Sequence, residues 1–206
     1  SPKDPRQIEL ALSVLKDPWA SEAAKLDALT SFTVTANLTD EAFWTLLTTA
    51  GAEREPDTVR ITALTHLSGS IAYILPGDVE QGEHAVALML DDRFKAAFAA
   101  MARDRSPEFR AKCLHFFGGV TLNIPAALTR RLGPAFLPML LSRLAEETDP
   151  TAMNEGLWSL NRLLEIKAVA GDQVAPALRR ISTSDLDEGV RATAREMLYS
   201  RGALIN

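Results

Sequence analysis

The sequence predicts an all-α fold, a single domain over residues 1–206 built by stacking about five helical hairpins. Three observations predict it. No stretch shows the clean two-residue alternation of a half-buried strand. Ala and Leu dominate while aromatics make up only 6% of the chain, a mix that favours helix over sheet. Finally, the stretch Glu55-Pro56-Asp57-Thr58-Val59-Arg60-Ile61-Thr62-Ala63-Leu64 has a grammar that returns along the chain: a helix start, an apolar-basic pair, then a small-apolar pair one turn later.

The elements follow in order. Pro2 and Pro5 mark an irregular entry, and Ile8, Leu10, Ala11, Leu12, Val14 and Leu15 read as a short helix broken at Asp17-Pro18. A longer segment is expected from Trp19 to about Ala36. Thr39 caps a helix with Asp40 and Glu41 in its first turn, and Phe43, Trp44, Leu46 and Leu47 carry it to Gly51. Pro56 opens the next helix, with Val59, Ala63, Leu64, Leu67, Ile71 and Ile74 at helical spacing as far as Leu75, and Pro76-Gly77 stops it. Asp78 to Asp104 reads as two helices, or one bent helix, with the break near Asp91-Asp92. Ser106-Pro107 opens a helix through Phe109, Cys113, Leu114, Phe117 and Val120, weakened at Gly118-Gly119 and stopped at Pro125. Further helices are expected at Phe136–Leu144, after Asp149-Pro150 through Met153, Leu157, Leu160 and Leu164, at Val174–Ile181, and after Leu186-Asp187-Glu188 through Val190, Ala194 and Met197.

Aligned second helices give the repeat. The lines start at Ala24-Lys25, Val59-Arg60, Phe109-Arg110, Met153-Asn154 and Val190-Arg191. Their second positions are separated by 35, 50, 44 and 37 residues, subtracting 25 from 60, 60 from 110, 110 from 154 and 154 from 191. Helical-repeat periods of about 40–47 residues bracket this range. A small residue three places beyond the base in four of the lines, Ala28, Ala63, Cys113 and Ala194, lets neighbouring helices approach closely. An acid at a turn can cap a helix, and an arginine one turn into that helix can reach a turn of the neighbouring unit.

These lines resemble the HEAT-repeat family, whose second helix typically begins Asp-Pro-x-Val-Arg and continues to Ala-Leu. The resemblance is most specific in Glu55–Leu64 and Asp104–Leu114. It covers most of the chain. It departs where Asn154 replaces the base, where Gly156 falls in a helix, and in the 50-residue interval, which carries an extra helix near Val79–Leu90 and leaves an armadillo-like three-helix unit open. The resemblance implies a right-handed, curved α-solenoid whose second helices line an inner face. Most such proteins bind other proteins; fewer bind nucleic acids, and a minority are enzymes or assembly factors.

Composition narrows the function classes. The net charge is -5, split as -6 to Arg103 and +1 from Asp104 onward. This argues against duplex nucleic acid as partner, which demands a positive surface. No apolar run approaches the ~20 residues of a membrane-spanning helix. The lone cysteine, Cys113, excludes an intrachain disulfide and reads as a small buried apolar residue. The chain begins at Ser1, as a processed or excised chain would. The compartment therefore stays open, with the cytoplasm favoured.

No catalytic, cofactor or metal motif emerges. His66, His84 and His115 form no ligand set, Cys113-x-His115 diverges around a helix, and there is neither a Gly-x-Ser-x-Gly elbow nor a Gly-rich phosphate loop. The expected partner-binding strip lies on the second helices, at Thr62, Thr65, His66 and Tyr73, then Lys112 and His115, then Ser159 and Arg162, then Arg195. Trp19, Trp44 and Trp158 read as packing residues. The leading expectation is a scaffold or adaptor that binds a protein or peptide segment on its concave face, of unassigned oligomeric state and without a cofactor. The alternatives are a nucleic-acid-binding or base-repair solenoid, and a small enzyme or enzyme maturation factor.

Overall fold

A computed structural model describes residues 4–32, 38–74 and 78–200. Every regular element among them is helical: α1 Pro5–Lys16, α2 Glu22–Leu29, α3 Asp40–Gly51, α4 Asp57–Ala72, α5 Val79–Leu90, α6 Asp92–Met101, α7 Pro107–Gly119, α8 Ala126–Thr129, α9 Gly133–Glu146, α10 Pro150–Glu165, α11 Gly171–Ser182 and α12 Glu188–Ser200. A single 3-10 turn, Arg130–Leu132, joins α8 to α9. None of these helices is long and apolar enough to cross a membrane.

Local chemistry sets the helix ends. Asp4, Ser21, Thr39, Ser106 and Asp149 each accept a backbone N–H of the first turn of the helix that follows. Such a cap satisfies one of the four orphan donors there, and is worth about 1 kcal/mol. Proline at the first position of α1, α7 and α10 gives up no hydrogen bond, because its N–H would be an orphan in any case. Asp91 ends α5 and caps α6, so the 78–104 segment is two helices rather than one bent helix.

Consecutive helices pack as pairs, α1 on α2, α3 on α4, α6 on α7, α9 on α10 and α11 on α12. The second helices also pack on one another in succession: α2 on α4, α4 on α7, α7 on α10, and α10 on α12. Among the first helices, α1 packs on α3, α3 on α6, and α9 on α11. The extra helix α5 lies against α6, α8 and the 3-10 turn. One connected apolar core runs from Ala11 to Met197. At its centre Phe43, Phe94, Phe98, Phe116, Phe117 and Phe136 form a continuous chain of ring contacts with centroids 4.7–5.9 Å apart, tying three successive hairpins together.

Several expectations change. The helix expected from Trp19 begins only at Glu22 and closes at Leu29, because Ser21 supplies the cap and Asp17 holds the Trp19 backbone in a turn. Trp19 is 91% exposed rather than packed. Trp44 is half-buried, with the Arg93 guanidinium 4.3 Å above its ring. α7 stops at Gly119, ahead of Val120. Pro138 and Pro176 lie inside α9 and α11. The Pro2 entry, the helix end at Ala36 and the stop at Leu75-Pro76-Gly77 lie outside the described residues.

Candidate functional site

The second helices are joined by a ladder of buried ion pairs. Lys25 Nζ lies 2.6 Å from Glu55, Arg60 Nη2 2.6 Å from Asp104, and Arg110 grips Glu147 at two points, 2.7 and 2.9 Å. Each base sits one turn into its helix, and each acid lies in the turn before the next second helix. Arg60 is only 2% exposed. Its Nε donates to the Ala50 carbonyl at 3.0 Å, and its guanidinium lies 4.1 Å over the Phe109 ring. Burial would raise the carboxyl pKa of Asp104, but the Arg60 hydrogen bond and the Ser106 N–H outweigh it, and the group stays below its usual range. At Glu147 burial acts in the same direction, and Arg110 together with the N–H groups of Asp149 and Thr148 reverses it.

The ladder stops at α10, and the structure corrects the register of that unit. Ser106 and Asp149 are the equivalent caps, and Pro107 and Pro150 the equivalent first residues. The spacing is therefore 43, from 106 to 149, and Met153, not Asn154, stands where Arg110 stands in α7. Met153 is fully buried and Asn154 is exposed. Shifting a helix by one residue turns its faces by about 100°. That rotation removes Ser159 from the expected strip and puts Trp158 into it. Ser159 is buried, accepting from the Gly118 N–H at 2.9 Å and donating to the Leu114 carbonyl at 2.6 Å. It pins α7 to α10 from within the packed interface.

The other expected strip residues divide into two groups. Thr62 and Thr65 donate to the carbonyls one turn back in α4, at 2.6 and 2.8 Å, and Tyr73 is exposed at its end. His66 is half-buried, its Nδ1 2.5 Å from the Phe32 carbonyl, so the proton is assigned to Nδ1. On α7 and α10 the side chains converge. Lys112 is exposed, and His115 Nδ1 lies 2.7 Å from Glu155. The His115 ring stacks on Trp158 with centroids 4.4 Å apart and planes 5° from parallel. Arg162 is turned toward Thr121, bonding its hydroxyl and carbonyl at 3.3 Å each. Arg195 pairs with Glu188.

Two open grooves lie on either side of α10. One, of about 490 Å³ between α7 and α10, is lined by Glu108, Lys112, His115, Asp149, Thr151 and Glu155 among others. The second, of about 470 Å³ between α10 and α12, carries Asn154, Trp158, Asn161, Thr193 and Glu196. Trp158 is 37% exposed. It is the main surface feature that sequence reasoning missed. Aligning Asp149-Pro150 on Ser106-Pro107 would have placed it opposite His115.

Among the described residues, no group of three or more His, Cys, Asp and Glu side chains is placed to hold a metal ion. Cys113 is fully buried and burial pushes its thiol pKa up, the opposite of what a nucleophile needs. No family model matches the chain, and neither a curated protein nor a solved structure gives a match.

Proposed function

We propose that the chain is a right-handed HEAT-like α-solenoid that serves as a protein-binding scaffold, with the successive second helices α2, α4, α7, α10 and α12 lining its concave docking face. The observation that carries this reading is the unbroken packing of those five helices on one another, alongside shorter runs of the first helices. A stack of this kind buries each hairpin against its neighbours and leaves one long helix-lined surface free. The inter-unit ion pairs Lys25–Glu55, Arg60–Asp104 and Arg110–Glu147 support it, because each crosses from one unit to the next. The open grooves beside α10 supply area for a partner without the enclosure that catalysis on a small molecule favours.

Site-specific photocrosslinking tests the proposal. A benzophenone amino acid is placed at Lys112 or Thr193 on the second helices, or at Ala145 on α9, and irradiated in extract of the native source. Partner adducts are expected from Lys112 and Thr193 and not from Ala145. Adducts from Ala145 alone, or from none of the three, would remove the docking face from the second helices.

A further inference from the structure

We propose that the face around Trp158 docks an extended segment of a partner protein carrying two arginines about three residues apart, a specificity that rests on the protein-binding reading above. The argument starts from the ring. α10 lies between α7 and α12, and His115 of α7 covers one side of the Trp158 indole. Trp158 also lines the second groove, together with Glu196, Asn154 and Asn161. An indole face next to a carboxylate and amide groups is the chemistry that takes a guanidinium: the ring quadrupole attracts the cation, and the oxygens accept its fork of N–H donors.

Charge points the same way. The two grooves together carry the carboxylates of Glu108, Asp149, Glu155 and Glu196 against one ammonium, Lys112. Asp149 is engaged in capping α10 and Glu155 in holding His115. Among the described residues Glu108 and Glu196 meet no cation, so each groove keeps one carboxylate for a ligand. The nearby arginines are already paired, Arg162 with Thr121 and Glu165, Arg191 and Arg195 with Glu188. An acidic or phosphorylated segment would face the carboxylates with only Lys112 in its favour.

The spacing follows from the helices. The grooves lie on either side of α10, about one interhelix distance apart, 8–10 Å, and Glu108 stands about seven residues nearer the helix starts than Trp158, an axial offset of roughly 10 Å. An extended chain advances about 3.3 Å per residue, so backbone positions three residues apart cover about 10 Å and the long arginine side chains reach across the rest. The first arginine lies over Trp158 against Glu196, and the second enters the α7–α10 groove against Glu108.

The test uses a fluorescein-labelled, end-capped nonapeptide, with two arginines separated by two serines in a Gly-Ser background, titrated with the full chain and followed by anisotropy. Control peptides carry citrulline or glutamate in place of both arginines. Saturable binding of the arginine peptide that weakens with salt is expected. W158A should lower its affinity about tenfold, the equivalent of a partly desolvated cation–π contact. E196Q should lower it about threefold, and K112E should raise it by a similar factor. Glu196 is exposed, so E196Q should keep the parent melting temperature, whereas W158A removes a ring packed on His115 and Gly118 and should lower it; binding is therefore read at a temperature where circular dichroism shows both variants folded. Equal binding of the citrulline peptide, arginine-peptide binding indifferent to W158A and E196Q, or no binding of any peptide would each overturn the proposal. The crosslinking experiment decides the broader reading separately: adducts at Lys112 and Thr193 with a partner segment lacking arginine would keep the docking face and sink the cation specificity.

Discussion

Breaking the Arg60–Asp104 rung should destabilise the chain far more than an ordinary salt bridge would. The perturbation is Arg60→Met, which keeps most of the aliphatic stem and deletes the guanidinium. The Arg60 and Asp104 side chains are 2% and 6% exposed, so the substitution strands a carboxylate away from water. It also leaves the Ala50 carbonyl without its donor and removes the cation over Phe109. Breaking a buried pair by removing one partner costs about 3–5 kcal/mol, against about 0–1 kcal/mol for an exposed pair. For a chain of this size about 3 kcal/mol corresponds to a fall in melting temperature of roughly 6–12 °C. Asp104→Asn keeps a side-chain acceptor for the Ser106 N–H while removing the charge, so the double variant measures the coupling. The assay is urea unfolding followed by circular dichroism and tryptophan fluorescence together, since coincident curves are needed for a two-state ΔG. Coupling of about 1.5–3 kcal/mol is expected. A loss below about 1 kcal/mol for Arg60→Met would place the pair in effective contact with solvent and refute the argument from burial.

Three further outcomes are expected. Gly118→Ala places a Cβ 2.7 Å from Trp158 Cζ3 and 2.9 Å from the Ser159 backbone, an overpacking worth about 1–3 kcal/mol, whereas Gly156→Ala meets only the flexible tip of Leu144 and should lose less; chemical denaturation that ranks the two in reverse would contradict the packing of α7 on α10. Glu147 has a depressed folded pKa, so its stabilisation is present above its unfolded value of about 4.3 and is lost as pH falls through the folded value. The stability gap between the parent and Glu147→Gln should therefore be widest near neutrality and narrow below about pH 4.3, and a gap that stays constant into acid would disprove the linkage. Cys113, fully buried with its thiol pKa pushed up, should react with a disulfide reagent only as fast as the chain opens, and rapid labelling of the native protein would show that the α7 core is more accessible than its packing indicates.

The helix starts were legible because their chemistry is local. Thr39, Ser106 and Asp149 cap the first turns that follow them, and no distant residue is needed to recognise them. Gly118 was expected to weaken its helix; the reason for a glycine there, the close approach of Trp158 and the Ser159 backbone, lies on another helix. The strip on α10 was misjudged because the apolar-basic line was matched on the wrong pair. With methionine at the base position, Met153-Asn154 looks like a degenerate copy of Phe109-Arg110, whereas the caps show Ala152-Met153 to be the true counterpart. That slip of one residue exchanged buried Ser159 for exposed Trp158. Trp19 was misjudged for a different reason: an aromatic after Asp17-Pro18 resembles a helix start, but the Asp17 carboxylate holds its N–H in a turn and leaves the ring in solvent.

By itself the sequence determined that the chain is helical, where most helices begin, and which residues carry their apolar faces, because these depend on caps, prolines and a 3.6-residue period read within a single segment. Only the tertiary structure decided which acid each base reaches. Lys25, Arg60 and Arg110 find partners 30, 44 and 37 residues away, across units of unequal length. It likewise decided that His115 lies flat against Trp158, a contact made across two helices that no local pattern encodes. The physical reason is the same for both: side chains meet where helices cross, and the crossing is set by the volumes packed between them.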